Sequence, residues 1–423
     1  MTRHDTRLVM KFGGTSMGNP DRIRETARIV AAEAATGKAL TVVVSAMGGE
    51  TTRLVGLVDV AGPAGQGLPT IDDEYDAVVS TGEQFTAGLL ALMLRNLGLR
   101  ARSWMGWQVP IVTDDAFGRA RVKDIRCDGL AAAIDSGEIA VVPGFQGITE
   151  DGRITTLGRG GSDITAVAMA AALKCPCDIY TDVDGVYTTD PRLEPKARRL
   201  DRISHDEMLE MASLGAKVLH ARSVELAKGQ GVSVRVLSSF IRPDDEGRLP
   251  DQAGTVICNE DDIVEKRNVS AVALSRDEAR ITLLGLPDRA ETLAEVFGRL
   301  ADAGVAIDMI VQSPARAEGA VNLTFTSGRR DAQRVRGLMD EARDALGFEE
   351  IRIDEDVAKV SIVGVGMRSH ADVARTLFGT LADKGVKVQA VSTSEIKISV
   401  LVDAAYGELA VRALHSAYGL EAV

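Results

Sequence analysis

Aromatic side chains make up only 4% of this 423-residue chain, and the shortage bears on function. Surfaces that stack nucleic-acid bases depend on aromatic rings, and proteins that hold a phosphate backbone show a basic footprint. With a formal net charge of −12 the chain has neither, so no nucleic-acid partner is expected. Cysteine is also scarce. Cys127, Cys175, Cys177 and Cys258 form no repeated pair of zinc spacing. Cys175-Pro-Cys177 has one residue between its thiols, the wrong spacing for the common metal and redox motifs. Reduced structural thiols are expected, and no metal site. No stretch approaches the roughly 20 apolar residues that a bilayer crossing needs. The charged opening is followed by an apolar run too short for a secretory signal. The chain therefore reads as soluble and cytoplasmic, with no membrane partner. A Walker A sequence, a GxGxxG after a strand and the protein-kinase signature set are all missing, which disfavours the usual nucleotide-binding folds.

What is present suits a large globular protein. Apolar residues are 45% and charged residues 26% of the chain, and the length allows two to four compact units. The first part alternates β-branched runs (7–12, 40–44, 139–142) with helical patterns. Asn19-Pro20-Asp21 opens a long helix, with Pro20 suited to the first helical position because it has no N–H to leave unpaired. Such alternation predicts an α/β fold with a mainly parallel central sheet and helices on both faces, a three-layer arrangement. Residues 246–268 are polar and rich in acidic side chains, and read as a linker after a first domain at 1–245.

Beyond the linker lies an internal repeat. Residues 297–305 (FGRLADAGV) recur as 378–386 (FGTLADKGV), and the strands ahead of them match as well, 281–285 against 360–364. Each copy reads as a ferredoxin-like βαββαβ unit, at 269–354 and 355–423. The first closes with a strand at 349–354, but the second reaches the C-terminus with little chain left for its last strand. The spare strand at 269–274 is expected to pair with the second copy.

Four glycine-rich turns follow strands in the first part, where open α/β sheets bind ligands. Glycine there lets backbone N–H groups approach phosphates. In Lys11-Phe12-Gly13-Gly14-Thr15-Ser16 the lysine ends an apolar strand, placed to point its ammonium over the turn, although a lysine opening a solvated loop reads the same. In Thr156-Leu157-Gly158-Arg159-Gly160-Gly161-Ser162-Asp163, Arg159 offers the fork that grips a carboxylate. Asp163 equally suits a helix start. Glu83 ends Ser80-Thr81-Gly82-Glu83, which fits a helix-capping box as well as a substrate contact; spacing does not separate the two. His205 lies inside Ser204-His205-Asp206-Glu207, also a capping box, and none of the five histidines reads as a catalytic base.

Taken together and in this order, KFGGTS, SAMGGETT, GFQG, TTLGRGGSD, YTDVDGVYTTDPR and GAKVLHARSVELA resemble the aspartate kinases of the amino-acid-kinase family. The C-terminal repeat resembles the paired ACT domains that end those enzymes. The resemblance implies ATP-dependent phosphorylation of the L-aspartate side chain to 4-phospho-L-aspartate, the first step toward lysine, threonine and methionine, with Mg²⁺ carried by the ATP phosphates. It implies that Lys11 and Lys217 neutralise phosphate charge, and that Phe12, Gly13, Gly14 and Ser45 line the phosphate cradle. Thr181, Asp182, Tyr187, Thr188, Thr189, Asp190, Pro191 and Arg192 would frame the nucleotide. Arg159, with Gly160, Gly161 and Ser162, would hold the α-carboxylate of aspartate. Glu83 and Asp163 would face its ammonium, and Thr51, rather than the adjacent Thr52, would help position it.

The same resemblance implies feedback by lysine and/or threonine at the ACT pair, and a homodimer or higher oligomer through it. Matching positions are Asp288, Ile307, Asp308 and Gln312 in the first copy, with Met367, Ser369, His370, Ser392, Thr393, Ser394 and Glu395 in the second. The turn Asp288-Arg289-Ala290-Glu291 departs from the Pro-Gly that often follows the aspartate. Two other readings compete: a kinase for glutamate or N-acetylglutamate, and a silent amino-acid-binding regulator. The RGGSD block with the ACT pair argues against the first, and the retained charged set against the second. No fused second enzyme is expected after the second repeat.

Overall fold

The computed structural model describes residues 6–61, 71–215, 218–244, 246–250, 254–263, 268–369 and 371–421. Of the expected site residues, Lys217 and His370 lie outside them. The chain divides into two compact units. One holds Met1–Val186, Arg199–Ser213 and Lys217–Glu265; the other holds Tyr187–Arg198, Leu214–Ala216 and Lys266–Val423.

The first unit is built on an eight-stranded sheet. Its order is Arg202–Ser204, Thr255–Cys258, Val234–Ser238, Cys177–Thr181, Arg7–Phe12, Ala39–Val44, Ile139–Pro143 and Ala101–Ser103. The central strands are parallel and their apolar runs are buried on both faces, as a sheet covered by helices requires. Thr255–Cys258 runs antiparallel to Val234–Ser238. It falls inside the stretch expected to be a linker. Polar neighbours hid a four-residue run whose Ile257 and Cys258 are buried in the sheet.

Helix Pro20–Ala34 starts as expected, with Asn19 accepting the Arg22 N–H and Pro20 in the first turn. Its Ile23, Ala27, Ile29 and Val30 fill the core. Helix Gly161–Leu173 is apolar almost all round and buried, as suits a helix with no solvent face. Helices Asp73–Val79 and Thr81–Asn96 join through Ser80, whose backbone stays helical at φ −68°, ψ −17°. The joined helix of 24 residues is long and apolar enough to cross a membrane by length and composition, contrary to the expectation that no segment would be. Its apolar character has a local cause: Ala87, Leu90, Ala91 and Leu94 pack into the core beneath the sheet. A small second sheet orders Val122–Ile125, Ile111–Thr113, Gln146–Ile148 and Ile154–Thr156.

The second unit contains two four-stranded antiparallel sheets. The first orders Ile307–Pro314, Ala320–Ser327, Ala279–Pro287 and Glu350–Asp354, packed on helices Ala290–Asp302 and Ala332–Glu341. The second orders Ala271–Ser275, Val357–Val363, Lys397–Asp403 and Ala390–Thr393, packed on Ala371–Asp383 and Gly407–Ala417. Ala271–Ser275 therefore completes the sheet of the later copy, with Ala271 opposite Val363.

The far side of that strand is met by Tyr187–Arg198, a segment taken from the middle of the first domain as read from sequence. Val272 N donates to Thr188 O at 2.8 Å, and Thr188 Oγ1 lies 2.9 Å from His415 Nε2. Lys196 pairs with Glu421, and Arg412 donates to the Leu193 carbonyl. An open strand edge carries unpaired backbone groups, and this segment engages one. A linear division at residue 245 does not describe the folding units for that reason.

Candidate active site

Three turns begin level with one another at the same end of the parallel sheet. Gly13 N donates to Tyr180 O at 3.4 Å, Ser45 N to Phe12 O at 3.0 Å and Gly144 N to Val44 O at 2.9 Å. Phe12 itself is buried and stacks on Tyr180 with ring centroids 4.7 Å apart, so its side chain anchors the strand and only its backbone faces the turn. A Cβ on Gly13 would stand 3.2 Å from Lys11 Nζ. The lysine thus curls over the glycine turn as its position in sequence implied, and it is 8% exposed. The reading of a solvated loop lysine is excluded. Ser45 is half-buried, and so is Thr51, in the first turn of helix Glu50–Ala61.

The loop carrying Arg159 is wedged from two sides. Gly160 has φ +74°, and a Cβ there would lie 2.4 Å from that of His220. A Cβ on Gly144 would lie 2.7 Å from that of Ser162. Only glycine permits the first backbone conformation at no steric cost. Gly161 and Ser162 open helix Gly161–Leu173, and Arg159 stands exposed with no hydrogen bond or ion pair among the described residues. Asp163 Oδ1 sits 2.6 Å from Lys11 Nζ, a close ion pair. Asp163 therefore holds the lysine ammonium, an ion pair that its other reading as a helix-start carboxylate did not include.

Glu83 resolves the ambiguity of its motif. Ser80 makes no side-chain cap and donates its hydroxyl to Ala77 O instead. Glu83 points inward, 3% exposed; one carboxylate oxygen accepts the Ala46 N–H at 3.1 Å and the other is buried without a partner. Burial pushes its pKa up to about 7. A buried oxygen with unmet hydrogen-bonding capacity costs free energy unless a ligand completes it. Ser204 and Glu207, by contrast, form the capping box, with Glu207 N on Ser204 Oγ and Ser204 N on Glu207 Oε2, both at 3.1 Å. His205 is buried, with Nε2 3.1 Å from Val232 O, and is a structural residue.

The nucleotide set divides between the units. Thr181 and Asp182 close the strand Cys177–Thr181, with Thr181 Oγ1 donating to Asp182. Tyr187, Thr188, Thr189, Asp190, Pro191 and Arg192 fold with the second unit. The Thr188 hydroxyl is buried and already bonded to His415 and the Arg198 N–H. Its side chain thus anchors the segment. Thr189 is buried too, while Arg192 is exposed and pairs with Asp190 at 2.7 Å.

Sequence reasoning missed three residues. Gln146, 1% exposed, donates to Ser80 O and accepts from Gln84. Arg222 donates to the carbonyls of Leu157 and Ala120. Asp76, fully buried, accepts from Gly118 and Thr156. The first two lie inside motifs already singled out; Asp76 lies in none. The cavity of about 420 Å³ beside helix Pro20–Ala34 holds none of these residues, and its lining charges are paired, Glu33 with Lys38, Glu246 with Arg248, and Arg235 with Asp178 outside the lining.

In the second unit Asp288 is exposed at the start of helix Ala290–Asp302, where Arg289 makes no side-chain cap. Ile307 is half-buried and Gln312 exposed on the strand Ile307–Pro314. Asp308 is tied up: Lys359 Nζ lies 2.9 Å from it and 2.6 Å from Glu278. Met367 packs into the core under the second sheet, which leaves its backbone rather than its side chain to meet an effector. The backbone of Ser369 ends a short helical turn, and Ser394 and Glu395 are exposed beside Ser392 and Thr393.

Glycine turns level at the strand ends, a lysine curled over the first and a buried carboxylate with an unpartnered oxygen fit a small-molecule phosphotransferase. Residues 6–238 match the amino acid kinase family and residues 360–418 an ACT domain. The chain belongs to the amino acid kinase family, among its aspartate kinases. It is 46% identical over 417 residues to the aspartate kinase of Pseudomonas putida, covering 98% of each chain. It resembles the crystal structure of Escherichia coli aspartokinase III in complex with aspartate and ADP, the R-state, at a TM-score of 0.74, 29% identity and 97% and 99% coverage. The same enzyme in complex with lysine and aspartate, the T-state, gives 0.78, 30%, and the same coverage.

Proposed function

We propose that the chain transfers the γ-phosphoryl group of ATP to the side-chain carboxylate of L-aspartate, giving 4-phospho-L-aspartate, as a cytoplasmic homo-oligomer subject to feedback by lysine and/or threonine. The observation that carries the reading is the buried Lys11, ion-paired with Asp163 beside the glycine turn, together with the buried Glu83 carboxylate, one oxygen of which has no protein partner. Arg159 takes the α-carboxylate, Glu83 the ammonium, and Thr51 with the amides of Gly160, Gly161 and Ser162 orients the rest. The nucleotide enters with Mg²⁺ on its phosphates and is received by Lys11, Lys217, Gly13, Gly14 and Ser45, with Thr181 and Asp182 on the neighbouring strand end.

The aspartate side chain is ionised at neutral pH, so the attacking oxygen needs no base. Catalysis then rests on alignment and on cancelling charge around the transferring group. Lysine ammonium and backbone N–H groups, fixed before reaction, supply that charge. Effectors are assigned to Asp288, Ile307, Asp308 and Gln312 with Ser369, His370, Ser394 and Glu395, and their coupling to catalysis is reciprocal, on the order of 1–3 kcal/mol.

The test is ADP release from MgATP with L-aspartate, L-glutamate or N-acetyl-L-glutamate, trapping the acyl phosphate with hydroxylamine. Hydroxamate from aspartate alone is expected; turnover of another acceptor in its place would overturn the substrate. Repeating the assay with lysine, threonine and their mixture is expected to show inhibition, and no response would leave the repeat with a role in oligomerisation only.

A further inference from the structure

Asp76 has no place in the reaction described so far, yet it is fully buried and heavily engaged. Its Oδ2 accepts the Thr156 N–H at 2.7 Å and the Gly118 N–H at 2.9 Å, and its Oδ1 accepts the Thr156 hydroxyl at 2.6 Å. Thr156 ends the strand Ile154–Thr156 and stands three residues before Arg159. Gly118 packs against the same loop, since a Cβ on Gly158 would lie 2.9 Å from Gly118 O. On the other side Arg222 grips the Leu157 carbonyl. The Arg159 loop is thus anchored at its base by one carboxylate.

That carboxylate shares a helix with Glu83. The two are seven residues apart on the joined helix Asp73–Asn96, close to two full turns, so both face inward along one line about 10 Å long. Gln146 Nε2 bonds the carbonyl of Ser80, midway between them.

We propose that Asp76 is a positioning residue for the amino-acid substrate: by tying the Arg159 loop to the helix that carries Glu83, it sets the distance between the carboxylate-binding and ammonium-binding ends of the site. The inference rests on the assignment of Arg159 and Glu83 to the amino acid. Burial raises the Asp76 pKa, while the Thr156 hydroxyl and the two N–H groups pull it back. The Thr156 hydroxyl could accept as well as donate, but the two N–H groups only donate, and the Gly118 N–H also lies 3.1 Å from Oδ1. An asparagine would turn an amide NH₂ toward at least one of them, loosening the loop without emptying space.

The experiment is steady-state kinetics on the full-length enzyme with Asp76→Asn and Thr156→Val, with Arg159→Ala as control. Asp76→Asn is expected to raise the KM for aspartate about tenfold, the size of a lost hydrogen bond to a charged group, leaving kcat and the KM for ATP within about twofold. Its preference for L-aspartate over L-glutamate is expected to narrow, because a loosened distance discriminates chain length less. Thr156→Val, which removes one donor and keeps the carboxylate, is expected to show both effects at about a third of the size. Should Asp76→Asn fail to fold, Thr156→Val decides by the same two readouts. Parallel rises in both KM values, or an unchanged aspartate KM while Arg159→Ala raises it, would overturn the proposal. An Arg159→Ala enzyme with unaltered aspartate KM removes the assignment beneath it, and the inference falls with it.

Discussion

Two clusters of buried charge, one in each unit, are met differently. In the regulatory unit Lys359 is 5% exposed and is met by two carboxylates, Glu278 at 2.6 Å and Asp308 at 2.9 Å. Burial alone would push the Lys359 pKa down, but the two carboxylates hold it above its ordinary value. In the kinase unit Glu83 and Asp163 each keep a buried oxygen with no hydrogen-bond partner, although Lys11 stands against Asp163. Desolvated charge is tolerated when it is paired, so the first cluster is complete as it stands. In the second, Lys11 is paired with Asp163 at 2.6 Å while one Glu83 oxygen is left without a protein partner.

The comparison can be broken in four places. The largest effect is expected for Lys11→Ala, with kcat lowered about a thousandfold, on the scale of removing a preorganised charge-stabilising donor, and a much smaller change in melting temperature. A variant that stays active would deny Lys11 its catalytic role. Next is Lys359→Met, which strands Glu278 in the interior and is expected to cost about 3 kcal/mol of unfolding free energy, measured by urea denaturation. A neutral result would mean that the trio is no more settled than the active-site cluster. Third, Arg159→Ala is expected to raise the KM for aspartate about thirtyfold, the worth of a charge-assisted hydrogen bond, with stability unchanged because the side chain is exposed.

The fourth concerns pH. Glu83 has a folded-state pKa of about 7 against an ordinary 4.5, so between those values the folded chain keeps a proton that the unfolded chain has lost. Stability from this group therefore falls as pH rises from about 4.5 to about 7 and is level above. Glu83→Gln is expected to remove up to about 2–3 kcal/mol of that decline. In the intact enzyme the aspartate ammonium prefers the ionised carboxylate, so the KM for aspartate is expected to fall as pH rises through 7. Equal pH slopes for both proteins would show that Glu83 titrates normally.

Much of the fold was legible because it rests on local patterns. Apolar strands, Asn19-Pro20 at a helix start, the Ser204–Glu207 box and the repeated FGxLADxGV all carry their signal within a few residues. The four-residue strand Thr255–Cys258 was lost because its polar surroundings outweigh so short a run. Asp76 was illegible for a different reason: its partners lie 42 and 80 residues away, and nothing in its neighbours announces them. The segment Tyr187–Arg198 was read as nucleotide-facing on its motif, and its membership of the regulatory unit came from an unpaired strand edge far along the chain.

The sequence by itself determined the class of chemistry. Six motifs in order, through their resemblance to the aspartate kinases, imply phosphate, carboxylate and a nucleophile already ionised. Tertiary structure decided the roles that spacing left open. Whether Glu83 caps a helix or waits for an ammonium depends on where the adjacent serine hydroxyl turns and on the water excluded around the carboxylate. Both are properties of packing between distant segments, and no local pattern encodes them.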